Sequence, residues 1–145
     1  MCSYCGCREL TFIGRLSTEH EQIIEATGEL RRAGQARDAE AASRSARLVQ
    51  SLLDPHTAYE EHGLFAELSA LDGFAEHVAS LSAEHVELDA ALARIRGGDA
   101  SGVAGFIARL RGHIDREENG LFPAAAIALD VDAMQRLDEA SPWES

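Results

Sequence analysis

Four histidines and two glutamates stand where a helical seam would normally carry Leu or Ile. His20 falls in the run Leu16, His20, Ile23, Thr27, Leu30, with steps of 4, 3, 4 and 3. His56 and Glu60 share the run Val49, Leu52, His56, Glu60, Gly63/Leu64. His85 interrupts Phe74, Val78, Leu81, Leu88, Leu92, Ile95, and His113 and Glu117 interrupt Val103, Phe106, Leu110, Leu121. Glu60 and Glu117 each follow a histidine by four residues, so each lies one turn on along the same helix face. An ionised glutamate in a helical core costs several kcal/mol unless something neutralises it. Two carboxylates and four imidazoles in one core make six ligand groups, and divalent or trivalent cations resolve their electrostatics. Imidazole and carboxylate without thiolate suit iron, manganese or zinc. Ligands placed symmetrically on facing helices suit a dinuclear centre.

The symmetry is written in the chain. HTAYEEHGLF (56–65) and HIDREENGLF (113–122) are identical at six of ten positions. EHEQIIEATGELR, from Glu19, and EHVELDAALARIR, from Glu84, share the Glu-His pair, an apolar residue three on, and an Arg. The plan is H…HxxxE, stated twice. Two helical hairpins of one design, related by a rough two-fold axis, would bring the six groups together.

The elements that must position these groups follow from the punctuation at Gly34, Asp72-Gly73, Gly97-Gly98 and Pro123. Helices are expected over about Ser17–Ala33, Asp38–Leu71, Phe74–Arg96 and Ala100–Leu121. Thr18 and Glu21 read as a capping box for the first, and Gly34 as its stop. Pro55 is expected to kink the second. A short helix over about Val131–Glu139 packs across one end. Leu10–Ile13 has the only strand-like pattern and reads as part of an N-terminal arm. The expected fold is all-α: an up-down four-helix bundle (16–125), a Cys-containing arm (1–15), and a short C-terminal helix and tail (126–145).

Composition narrows the function. Thirteen basic and 25 acidic residues among 145 give a formal charge of −12. Such a chain is poorly suited to gripping nucleic acid, whose phosphates are met by Lys and Arg, or to docking on anionic lipid. No apolar run reaches the roughly 20 residues of a membrane helix. The first residues have neither the basic start nor the apolar stretch of a secretory signal. The three cysteines all fall within the first seven residues and cannot staple a fold, which points to a cytoplasmic home.

The doubled HxxxEExGLF motif resembles the hemerythrin-like (HHE cation-binding) family over roughly residues 16 to 125. The resemblance implies a non-haem di-iron centre with two irons bridged through oxygen. It implies His20, His56, His85 and His113 as nitrogen ligands, and Glu60 and Glu117 as bridging carboxylates. The family's oxygen carriers have HxxxH on the third helix, where this chain has Leu81 and Asp89 on either side of His85. They also place Asp five residues after the fourth-helix histidine, where this chain has Glu118. The chain is more similar to the HHE branch, linked to oxygen, iron or redox sensing and to peroxide or nitric oxide handling. The implied partner is dioxygen or a related small molecule, bound for sensing or storage. An enzyme consuming peroxide or nitric oxide is a second reading, and a structural metal-binding module a third.

Other residues carry alternatives. His77 lies eight residues before His85, about 80° off its face. It would be a fifth nitrogen ligand if the third helix were bent, or would support the ligands from outside; otherwise it is structural or on the surface. Glu61 and Glu118 fall about 140° from the His56 and His113 faces. They are either solvated or paired with Arg, or they support an imidazole N–H from outside the ligand set. Tyr59 would point into the pocket, where its phenol could ligate or donate a hydrogen bond, or pack on the surface or in the core. Cys2, Cys5 and Cys7 form CxxCxC, one thiol short of a closed zinc site, and would serve redox sensing, complete a metal site in a dimer, or stay unligated.

Overall fold

The computed structural model describes residues 11–140. Cys2, Cys5, Cys7, Leu10 and Trp143 lie outside them. The described residues are all-helical, without strands. The elements are α1 (Thr11–Gln35), α2 (Ala39–Tyr59), a π-helical turn (Glu60–Leu64), α3 (Phe65–Ser69) and α4 (Ala75–Arg96). Then come a 3-10 turn (Ala100–Gly102), α5 (Val103–Arg116), a second π-helical turn (Glu117–Leu121), α6 (Phe122–Ala128) and α7 (Val131–Glu139).

α1 starts earlier than its expected cap. Residues 11–15 are helical, so the segment read as an arm is shorter, and Thr18 lies inside the helix. Its hydroxyl donates to the Gly14 carbonyl at 2.9 Å instead of capping. Gly34 does not stop α1 either. A Cβ at position 34 would lie 2.7 Å from Val103 Cβ, so this glycine lets α1 and α5 approach. The residue that leaves the helix in the left-handed region is Arg37, with φ 54°. Asp38 N–H then donates to Ala33 O and Arg37 N–H to Gly34 O, closing the end of α1. Asp38 in turn caps α2 by accepting from Ala41 N–H.

α2 runs through Pro55 to Tyr59. Leu53 is the buried residue of its seam, whereas Leu52 is half-buried. Pro123 does not end the fourth helical stretch. It lies in the first turn of α6, where its missing N–H is harmless.

α1 and α4 each pack against α2 and α5. Their buried apolar residues form two clusters. One holds Phe12, Leu16, Leu64, Phe65, Leu81, Leu121 and Phe122, closed over by α7 through Ala133 and Leu137. The other holds Ile23, Leu30, Val49, Leu53, Leu88, Ile95, Phe106 and Leu110. α1 and α4 pass from the first cluster to the second, while α2, and α5 with the π-helical turn and α6 that continue it, pass from the second to the first. His20, His56, His85 and His113 occupy the crossing point on each helix.

Candidate metal centre

The crossing layer is polar and buried. His20, His56 and His113 are each 3% exposed, His85 is 8%, and Glu60 and Glu117 are fully buried. Their inward atoms form two clusters, each within 4.8 Å: His20, His56, Glu60 and Glu117, and then Glu60, His85, His113 and Glu117. Both glutamates belong to both clusters. Each cluster therefore offers two imidazole nitrogens and an oxygen from each shared carboxylate, four donors to one cation.

The imidazoles are turned by carboxylates outside the layer. His20 Nδ1 lies 2.8 Å from Glu118 Oε2, and His56 Nδ1 lies 2.7 Å from Glu19 Oε1. His85 Nδ1 lies 2.5 Å from Glu61 Oε2, and His113 Nδ1 lies 2.7 Å from Glu84 Oε1. With Nδ1–H donating outward, each Nε2 is left as an inward lone pair, which is the arrangement a metal-ligating histidine needs. Ser17 Oγ–H donates to Glu118 at 2.8 Å, and Ser82 Oγ–H donates to Glu61 at 2.9 Å. Phe122 stacks on His20 at 5.6 Å and Phe65 on His85 at 5.5 Å, fixing the ring planes.

Every support crosses between elements. α1 supplies Glu19 to the imidazole on α2, and α4 supplies Glu84 to the one on α5. The two π-helical turns supply Glu118 to α1 and Glu61 to α4. A π-helical turn at a functional site is a known device. Here each opens with a consecutive glutamate pair, the first facing the layer and the second reaching a histidine of another helix.

Four buried atoms of the layer have no aligned hydrogen-bond partner: Glu60 Oε1 and Oε2, Glu117 Oε2 and His56 Nε2. Ring nitrogens lie 3.1 and 3.4 Å from the Glu60 oxygens without making good bonds. Buried carboxylate oxygens left this way are costly, and cations at both positions would satisfy them. The donor set and these orphaned atoms fit a pair of metal ions.

Without metal, protons fill the role. Burial opposes charging His56, but Glu60 and Glu19 outweigh it and push its pKa up to about 10. His113 is likewise desolvated, yet Glu117, Glu60 and Glu84 push it up to about 9. His20 and His85 are raised against the same burial by their glutamate neighbours. Burial would raise Glu117, but His113 and His20 hold it well below the usual carboxylate range.

Of the remaining residues singled out in the sequence, Glu61 and Glu118 are brought against the histidines, and Glu118 is only 7% exposed. Both take the supporting role of the two alternatives, although the Glu61 side chain stays 31% exposed. Tyr59 does not enter the layer. It is buried in the apolar cluster beneath α7, and its hydroxyl donates to the Leu137 carbonyl at 2.8 Å. His77 joins neither ligand cluster. It is half-buried on an unbroken α4, and a Cβ on Gly120 would stand 3.7 Å from its ring. In the register of the repeat its counterpart is Phe12, a core residue. Sequence reasoning assigned no role to Glu19, Glu84, Phe65 or Phe122. Their signal was present, because the Glu-His pair and the final Phe both recur in the repeat.

A helical fold crossed by a buried layer of paired imidazoles and shared carboxylates defines a cation-binding protein. The chain belongs to the hemerythrin HHE cation-binding domain family, whose model matches residues 11–125. No curated protein and no solved structure gives a significant match.

Proposed function

We propose that the chain is a non-haem di-iron protein that binds dioxygen or a related small oxidant, in sensing or storage. The observation that carries this reading is the pair of buried clusters sharing Glu60 and Glu117. His20 and His56 would hold one iron, and His85 and His113 the other. Glu60 and Glu117 would bridge them, with an oxygen atom between the two ions. The passage of successive helices between the two apolar clusters supports an up-down four-helix bundle as the frame.

A pair of bound irons supplies two adjacent Lewis-acid, redox-active centres. The chain supplies the rest. Glu118, Glu19, Glu61 and Glu84 hold a proton on each outward Nδ1 and so keep the inward Nε2 free. Phe65, Phe122 and the apolar clusters on either side exclude bulk water. Four protein donors for each cation leave coordination positions open to a small molecule. A cytoplasmic location fits the reducing conditions such a centre and the N-terminal thiols would need, and no helix among the described residues is long and apolar enough to cross a membrane.

Metal content and the ultraviolet–visible spectrum of protein made with iron supplementation test the reading. The expected result is about two irons per chain, with charge-transfer bands that change on reduction. Zinc alone, or no metal and no bands, would sink it. Exposure of the reduced protein to dioxygen, peroxide and nitric oxide then separates one-to-one binding from repeated turnover.

A further inference from the structure

Two clefts reach the polar layer, and the internal repeat makes them counterparts. One, of ≈ 330 Å³, lies between α2 and α4 and ends at His85 and Glu61. The other, of ≈ 400 Å³, lies between α1 and α5 and ends at His20 and Glu118. In the register of the repeat these inner ends are the same residues twice. The walls are not. Thr57 on the first cleft corresponds to Ile114 on the second, and Asp89 to Ile24. Gln50 and Asp54, also on the first, correspond to Ile107 and Arg111.

The polar walls are organised. Gln50 Nε2–H donates to Asp54 Oδ1 at 2.5 Å and to Asp89 Oδ1 at 3.0 Å, tying α2 to α4 across the mouth. Gln50 Oε1 is buried with no hydrogen-bond partner. Further in, the Glu61 side chain is 31% exposed and touches His85, whereas its counterpart Glu118 is 9% exposed. The second cleft also carries carboxylates, Glu21 and Glu25, beside Ile24 and Ile114. What sets the first apart is the buried Gln50 oxygen, the Thr57 wall and the more exposed Glu61. A hydrated cation loses its water stepwise only where oxygen atoms replace it. Carboxylates at either mouth raise the local cation concentration, and only the first cleft continues inward through the Gln50 oxygen to an accessible Glu61.

We propose that the cleft between α2 and α4 is the route by which metal cations reach the buried centre. Asp54 and Asp89 draw the ion to the mouth, Gln50 Oε1 offers an oxygen on the way, and Glu61 passes it inward beside His85. The cleft between α1 and α5, where Ile24 and Ile114 replace Asp89 and Thr57 and Glu118 is buried, does not carry this traffic. The proposal rests on the reading of the layer as a metal centre, and its test separates the two.

The experiment follows cobalt(II) uptake by the metal-free full chain at low ionic strength, using visible absorbance for the rate and elemental analysis for the end point. Asp54→Asn combined with Asp89→Asn is expected to slow uptake about tenfold with the final metal content unchanged. Glu21→Gln combined with Glu25→Gln removes the same charge at the other mouth and is expected to change the rate less than about twofold. Added salt should slow the unmodified protein more than the Asp54/Asp89 variant. Ala58→Trp, which narrows the first cleft without altering charge, should also slow uptake. Equal slowing by both charge pairs, or by neither, overturns the proposal. If the unmodified chain takes up no cobalt, the metal centre itself is refuted, and the route with it. Circular dichroism melts of the metal-free variants check that each is folded.

Discussion

The two hairpins agree closely at the polar layer and diverge one residue outside it. His20 and His56 have ring centroids 4.7 Å apart with a 54° tilt, and His85 and His113 have 4.7 Å and 57°. The stacking phenylalanines and the serine-glutamate-histidine chains also match. Outside, Phe12 corresponds to His77, Ile24 to Asp89, and Tyr59 to Arg116 in the register of the repeat. Arg116 pairs with Glu84 at 2.7 Å, whereas Tyr59 is drawn into the core under α7. Groups that must stand at a fixed distance from a cation tolerate little change in either half. Residues that only shape access or anchor an extra helix are free to differ.

Removing a group shared by both halves should do the most damage. Glu60→Gln or Glu117→Gln takes a charged oxygen donor from both positions, so elemental analysis should show metal falling from about two per chain to below one. If one full site survives in either variant, the glutamates are not shared.

Substitutions in the outer carboxylates should weaken metal binding without abolishing it. Glu118→Gln and Glu61→Gln should each lower affinity by about 10–100-fold in competition with a chelator. Glu118 is the more buried of the two, so its variant should lose more. Equal losses would mean that the difference in exposure between the halves has no energetic weight.

Acidity should act on the metal-free chain in a defined direction. His56 and His113 titrate at about 10 and about 9 in the folded chain against an ordinary 6.5. Their contribution to stability is complete below pH 6.5 and is lost as pH rises through those values. Glu117 is depressed below its ordinary 4.5, so its contribution is complete above 4.5 and is lost as pH falls through the lower folded value. Thermal melts of metal-free protein should therefore be highest between pH 4.5 and 6.5 and fall toward pH 10. A melting temperature that rises from pH 6.5 to 10 would contradict this. Metal uptake at neutral pH should release protons, measurable in weakly buffered solution.

The mildest effect is expected at His77, the residue whose counterpart is Phe12. His77→Ala should leave metal content and spectrum unchanged. Loss of metal would place His77 in the centre after all.

The periodicity of the seams carried much of this arrangement. Four imidazoles and two carboxylates on apolar stripes are visible in sequence because each breaks a run of Leu, Ile and Val. The outer carboxylates were harder to place. A fixed 100° per residue turns Glu61 and Glu118 away from their own helix's histidine. It says nothing about a histidine on another helix, and each of these glutamates lies within a π-helical turn that the projection does not contain. Glu19 and Glu84 were equally hidden, because each supports an imidazole 37 or 29 residues away. The start of α1 was misplaced for another reason: Thr18 has a good capping pattern, but Phe12, Ile13 and Leu16 are buried and extend the helix past it. Tertiary burial outweighed a local signal.

The crossed supports make the two hairpins depend on each other. Each hairpin carries half of everything the layer contains: one histidine on each of two helices, one shared glutamate, two outer carboxylates, one serine and one stacking phenylalanine. Neither hairpin orients all of its own imidazoles, since His20 depends on Glu118 and His85 on Glu61. Two identical hairpins associating about a two-fold axis would satisfy every one of these needs. The halves of the present chain are arranged as such a pair would be, with the loop between Ala70 and Phe74 joining them.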